Sequence, residues 1–153
     1  MQRPWNKTNL TLYSLVTNDS NGTWNMNICS YVVPISMKPK KYMIALDPTT
    51  KTYSNFISSH SAVLQILASD CKKYVRLLWK QSWHTTNKWD ILAEKLQNYK
   101  WFKVLSDASS YLLVHKSHHI VTQDADHELF IVDVISWRYN RPETNFLTTW
   151  DIY

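Results

Sequence analysis

Residues 18–32 read NDSNGTWNMNICSYV and hold the chain's single glycine, Gly22. The flanking runs, LTLYSLVT (10–17) and TWNMNICSYVV (23–33), are rich in Thr, Tyr, Val and Ile. Asn21-Gly22 between two such runs predicts a β-hairpin with a type I′ turn, which needs positive φ at both central residues. The second run is unusual for a core strand because it carries Asn25, Asn27, Cys29 and Ser30. On an edge strand Asn25 and Asn27 either alternate out to solvent or face a ligand.

Outward from the hairpin, SMKPKKYMIALD (36–47) reads as a Pro-Lys turn and a buried strand over Tyr42 to Leu46. DPTTKTYSNFISSH (47–60) reads as a loop opening a short helix, with Thr50 or Thr52 as its cap. SAVLQILAS (61–69) is a further short strand. Asp70 is a predicted N-cap for CKKYVRLLWKQS (71–82), where Tyr74, Leu77 and Leu78 recur at helical spacing. KWDILAEKLQNY (88–99) predicts a second helix, with Trp89, Leu92, Ala93 and Leu96 on one face. YLLVHKSHHIVTQ (111–123), ELFIVDVISWRYN (128–140) and NFLTTWDIY (145–153) predict three strands, divided by the turn sequences DADH and RPET. Strands, a helical middle and strands again suggest one domain over 1–153, a closed antiparallel barrel with helices packed outside.

Composition narrows the function. One glycine excludes GxGxxG and P-loop signatures, and with them a separate dinucleotide-binding domain. Two cysteines, Cys29 and Cys71, make neither a disulfide framework nor a zinc cluster, and both read as reduced, packed thiols. No apolar run reaches signal-peptide or membrane-span length, so the expected location is the cytoplasm, where the four Asn-x-Ser/Thr sequons are idle. The net charge of +5 points to anionic partners. Eight Trp and nine Tyr serve a core, a subunit interface or a stacking site for a flat ligand, and Trp79, Trp83, Trp89 and Trp101 of the middle helices are the candidates to cover one.

Four segments in order carry a resemblance: NMNICSYVVPIS (25–36), KPKKYMIALD (38–47), PTTKTYSNFISS (48–59) and DHELFIVDVISW (126–137). Together they resemble the flavin reductase-like family of FMN-binding split barrels. The resemblance runs from Leu10 onward and is weakest over 71–105. It implies a mainly β split barrel with peripheral helices, a homodimer, and bound FMN, with FAD left open. The implied reaction is hydride transfer from NAD(P)H to flavin; an electron carrier or flavin store without turnover fits the same residues. Carried over position by position, the strand along the flavin is Asn27, Ile28, Cys29, Ser30 and Tyr31. The phosphate loop is Asp47 with Thr50, Lys51 and Thr52, where hydroxyls, a helix N-terminus and a cation favour a dianion. His127 matches the histidine of the late Asp-His pair, a catalytic or orienting position near the nicotinamide. Where the family has a small residue and a basic one this chain has Val132 and Asp133, and a valine there is expected to narrow the nicotinamide approach.

Blander readings stand beside these. Thr50 to Thr52 read without the resemblance as a capped helix start. His127 is equally a satisfied structural histidine. Of His115, His118, His119 and His127, only 115 and 119 share a strand face and no carboxylate sits at ligand spacing, so no metal site is predicted. The competing class is a small barrel binding single-stranded nucleic acid. Its cations, Lys38, Lys40, Lys41, Lys72, Lys73, Lys100 and Lys103, are scattered and form no basic-aromatic stripe.

Overall fold

A computed structural model describes residues 3–80 and 88–153. The opening hairpin is present as β1 (Tyr13–Asn18) and β2 (Trp24–Met26), paired antiparallel. Its turn differs from the type I′ expectation. Gly22 N–H donates to Asp19 O at 3.0 Å, and the Asp19 carboxylate accepts the Asn21 and Thr23 amides at 2.9 Å each. Within this turn only Gly22 has positive φ, at 79°, so Asn21 is not left-handed and the aspartate shapes the loop.

The second strand is also shorter than expected. β2 stops at Met26 and β3 (Val32–Met37) starts after a five-residue crossing, 27–31. β3 turns at Lys38-Pro39 into β4 (Lys40–Leu46), followed by α1 (Lys51–Ser58) and β5 (Ser61–Ile66). A 3-10 turn over Ser69–Tyr74 leads into α2 (Val75–Lys80), and α3 (Lys88–Leu92) follows the undescribed residues. A separate hairpin, β6 (Leu96–Tyr99) and β7 (Phe102–Leu105), precedes the long strands β8 (Ser110–Ile120) and β9 (Glu128–Tyr139).

Seven strands form one antiparallel sheet in the order β2-β1-β5-β8-β9-β4-β3. Its two ends, β2 and β3, are joined by the crossing 27–31 and not by a ladder. Cys29 exchanges both backbone hydrogen bonds with Tyr13 of β1, at 2.8 and 2.9 Å, and Tyr31 O accepts the Ala45 amide of β4 at 2.9 Å. The barrel is thus split between β2 and β3 and, among the described residues, bridged across the split by this short segment.

Alternation along β1, β5 and β8 serves two cores, which is why these strands read as continuous apolar runs. Leu15, Leu64 and Val114 pack with Ile44, Phe130, Val132 and Phe56 of α1. Val16, Val63 and Leu113 pack with Leu78, Leu92, Phe102 and Val104. Fully burying a side chain such as Phe56 contributes about 2 kcal/mol.

Three further expectations give way to tertiary context. The predicted helix over 88–99 ends at Leu92, and residues 96–99 extend instead. There Tyr99 stacks on Tyr111 at 5.3 Å, and Gln97 Nε2 donates to the Tyr111 hydroxyl at 2.7 Å and to Asn140 Oδ1 at 3.1 Å. Asp70 is not a cap: Ala68 holds that position, and the Asp70 carboxylate accepts Arg141 Nη1 at 2.9 and 3.0 Å. The C-terminal segment forms single bridges at Phe146 and Thr148 and a 3-10 turn over Thr149–Asp151 in place of a strand. Leu147 is clamped there by backbone bonds to Leu67 and Leu12, both 2.8 Å. Trp83 lies outside the described residues. Among the described residues no helix is long and apolar enough to cross a membrane.

Candidate functional site

The split in the barrel opens into a cavity of about 570 Å3. Asn27, Ile28, Cys29, Ser30 and Tyr31 of the crossing line it, as do Asp47, Thr50, Lys51 and Thr52 before and within α1, and His127 before β9. All ten residues singled out in the sequence therefore border one space, within the size range of small-molecule sites.

The crossing cannot offer every backbone group to a ligand. The Cys29 peptide is used in its bridge to Tyr13, whereas those of Ile28 and Ser30 have no backbone partner among the described residues. Asn27 Oδ1 accepts the Leu15 amide at 3.2 Å, so this side chain steadies the crossing against β1. Asn25 does not look to solvent: it is buried in the cavity wall, with Nδ2 donating to Thr52 Oγ1 at 2.6 Å and Oδ1 without a partner. Burial pushes the Cys29 thiol up to about 12, which makes it a packing group and not a nucleophile.

At the loop before α1, the Asp47 carboxylate accepts the Thr49 amide at 2.8 Å and hydroxyl at 2.7 Å. These bonds hold it below the usual carboxylate range. Thr50 is the cap: its hydroxyl donates to Asp47 O at 2.7 Å, which commits its one hydrogen, and accepts the Tyr53 amide at 3.2 Å. The amides of Lys51 and Thr52 precede the first backbone bond of the helix, Ser54 N–H to Thr50 O, and point with the dipole toward the cavity end. Thr52 accepts from Asn25 and keeps its hydroxyl hydrogen to donate. Lys51 Nζ stands 3.5 Å from Asp19 Oδ2, so the hairpin turn shares this cation.

His127 Nδ1 meets Asp126 Oδ1 at 2.8 Å, and its ring packs edge-on to Tyr31 at 5.1 Å. The lining also includes Trp79 and the exposed Tyr153, whose rings lie 6.1 Å apart. The last wall holds Leu78 and Lys88, whose buried ammonium donates to Leu78 O at 3.3 Å and is pushed down to about 8 by burial. Nothing in the local sequence marks Lys88 as a wall residue. Trp79 was visible as one of four tryptophans; Trp83 and the Trp89 side chain lie outside what the structure describes, and of the other two it is Trp79, not Trp101, that borders the cavity. Val132 does not line the cavity: it is fully buried in the barrel core, and Asp133 pairs with Lys41. The expected narrowing by Val132 therefore falls away. Among the described residues no three His, Cys, Asp or Glu side chains are placed to hold a metal.

Solved structures share this architecture. The styrene monooxygenase flavin reductase (SMOB) of Pseudomonas putida S12 superposes with a TM-score of 0.80 at 15% identity, covering 97% of this chain and 91% of its own. The Streptomyces globisporus C-1027 NADH:FAD oxidoreductase SgcE6, in complex with NAD and FAD fragments, gives 0.83 at 12% identity, with 99% and 87% covered. The FMN-binding protein from Thermus thermophilus gives 0.78 at 11% identity, with 93% and 77% covered. At these identities the likeness is one of fold. No curated protein matches the chain. The family model described as flavin reductase like domain matches residues 9–151, nearly the whole length, and the chain belongs to that family.

Proposed function

We propose that this protein binds FMN in the split of its barrel and reduces it with a nicotinamide donor. The observation that carries the reading is the convergence on one cavity of a hydroxyl-rich helix N-terminus and an extended polar crossing, with aromatic rings at the mouth. A helix N-terminus suits a phosphate, which FMN and FAD both carry, and FMN is the form that the family resemblance implies. The Thr52 hydroxyl and the first amides of α1 hold the phosphate, and Lys51 adds its charge. Ile28 and Ser30 offer peptide groups to the isoalloxazine edge, and the small side chains of Cys29 and Ser30 let it come close. His127 and Tyr31 stand where a second planar group enters. When bound, the flavin supplies the redox chemistry, accepting a hydride and passing its electron pair on. The protein needs no general base, only position, charge and shielding from water. The family relationship also supports a cytoplasmic homodimer.

The test is an absorption spectrum of purified protein after incubation with FMN, or separately FAD, and desalting. Retained flavin absorbance near about 450 nm, stronger with FMN, is expected. Anaerobic NADH or NADPH should then bleach it. A flavin that stays bound, bleaches with dithionite and ignores both nicotinamides would make the protein a carrier or store. Failure to bind either flavin in a titration overturns the reading.

A further inference from the structure

We propose that Glu128 is the positioning residue for the anion-binding end of the cavity, tying the first turn of α1 to the start of β9 through Tyr53 and His119. The proposal rests on the flavin reading above and concerns three residues that do not line the cavity.

Tyr53 directly follows Thr52 and lies in the first turn of α1. Its hydroxyl donates to Glu128 Oε2 at 2.5 Å, and His119 Nε2 meets the same oxygen at 2.6 Å. Glu128 is the residue after His127, so one carboxylate links the helix that presents Thr52, the strand β8 and the entrance histidine. The rings are seated as well as bonded. His119 stacks on the fully buried Phe130 at 4.6 Å and 8°, and Tyr53 meets the same ring edge-on at 5.7 Å. Both contacts favour the ionised carboxylate and hold the carboxyl below its ordinary range, while the Tyr53 phenol is raised, first by its hydrogen bond to Glu128. The other side of the helix start is pinned by the buried bond from Asn25 of β2 to Thr52. Glu128 supplies the hydrogen-bonded tie on the opposing side, beside the contact of the Tyr53 ring with Phe130.

The experiment titrates wild type, Tyr53→Phe, Glu128→Ala and the double variant with FMN and with riboflavin, which lacks the phosphate. Wild type is expected to prefer FMN. Each single variant should weaken FMN binding about tenfold, the scale of one hydrogen bond to a charged group, and riboflavin binding less than about twofold. The double variant should be no worse than Glu128→Ala, since both changes remove the same link. Should Glu128→Ala not fold, Tyr53→Phe removes a single oxygen atom and decides alone. Equal weakening for both ligands would mark a merely structural role and overturn the proposal, as would unchanged FMN affinity in a wild type that prefers FMN. A wild type that binds both flavins equally overturns the anion end itself, and this proposal with it. One that binds neither overturns the flavin reading of the preceding section.

Discussion

Lys51 shows how a residue can sit where sequence reasoning puts it and still be shared. Its ammonium lies at the helix start bordering the cavity, but Asp19 holds a carboxylate 3.5 Å away. Asp19 has its own work in the turn, accepting the Thr23 and Asn21 amides, and those bonds, with the Lys51 charge, keep its carboxyl below the usual range. Asp19→Asn keeps an amide oxygen for the turn and removes the charge that competes for Lys51. FMN should then bind about two- to fivefold more tightly at low salt, and the gain should vanish near about 1 M salt, where the screening length is only about 3 Å. Titrations at the two ionic strengths check this; weaker binding in the variant at low salt would mean that Lys51 does not reach the ligand. Thr50 teaches the complementary point. Its one hydroxyl hydrogen is committed to Asp47 O, so its contribution to an anion is the helix start itself and Thr52 is the donor.

At the scale of elements, Gly22 isolates the cost of a turn. Its φ is 79° and a Cβ there would meet nothing within 4 Å, so Gly22→Ala carries a conformational penalty without a clash. The expected loss is about 1 kcal/mol, or about 3 °C in Tm for a domain of this size, and Gly22→Asn should lose less because asparagine tolerates the left-handed region. Thermal melts of the two variants give the comparison, and equal losses would contradict it. The glycine was legible because positive φ leaves a compositional mark, and the capped start of α1 was legible because Thr-x-x before an amphipathic run is local chemistry. The strands β5, β8 and β9 were legible because their apolar runs are buried on both faces or alternate cleanly. Residues 96–99 were not: Leu96 keeps helical spacing with Leu92, and only Tyr111 and Asn140, distant in sequence, draw Gln97 and Tyr99 into a hairpin. The C-terminal run failed for the same reason, since Leu67 and Leu12 decide its path. All ten proposed site residues were chosen from local pattern and family resemblance, and the fold gathers them. Asn25 and Lys88 needed the fold, because burial of a polar side chain in a cavity wall has no local signature.

Across the whole molecule, carboxylates fasten the parts that the sheet does not. Asp19 closes the first hairpin, Asp47 the loop before α1, Glu128 the join of α1 to β9, and Asp151 the C-terminal turn with Thr148. Asp107, after β7, accepts Lys73 Nζ at 2.8 Å and the Tyr74 hydroxyl at 2.5 Å, pinning the segment that leads into α2. Each of the five is held below its ordinary value, by hydrogen bonds first in every case. The unfolded chain therefore binds more protons in the window between folded and ordinary values. Stability from these groups is present above the ordinary carboxylate range and is lost as pH falls through the folded values. The excess of Lys and Arg over Asp and Glu, +5 at neutral pH, adds self-repulsion as the carboxylates are neutralised. Tm should fall continuously from about pH 5 to about pH 3. Asp107→Asn should lower Tm at pH 7, because Lys73 loses its counter-charge, and its deficit relative to wild type should shrink as the pH falls through the folded value of the wild-type carboxyl, which lies below the ordinary carboxylate range. Calorimetry of both proteins across that range decides it: a deficit that stays constant with pH would place the loss in packing around Tyr74 and not in the charge of Asp107.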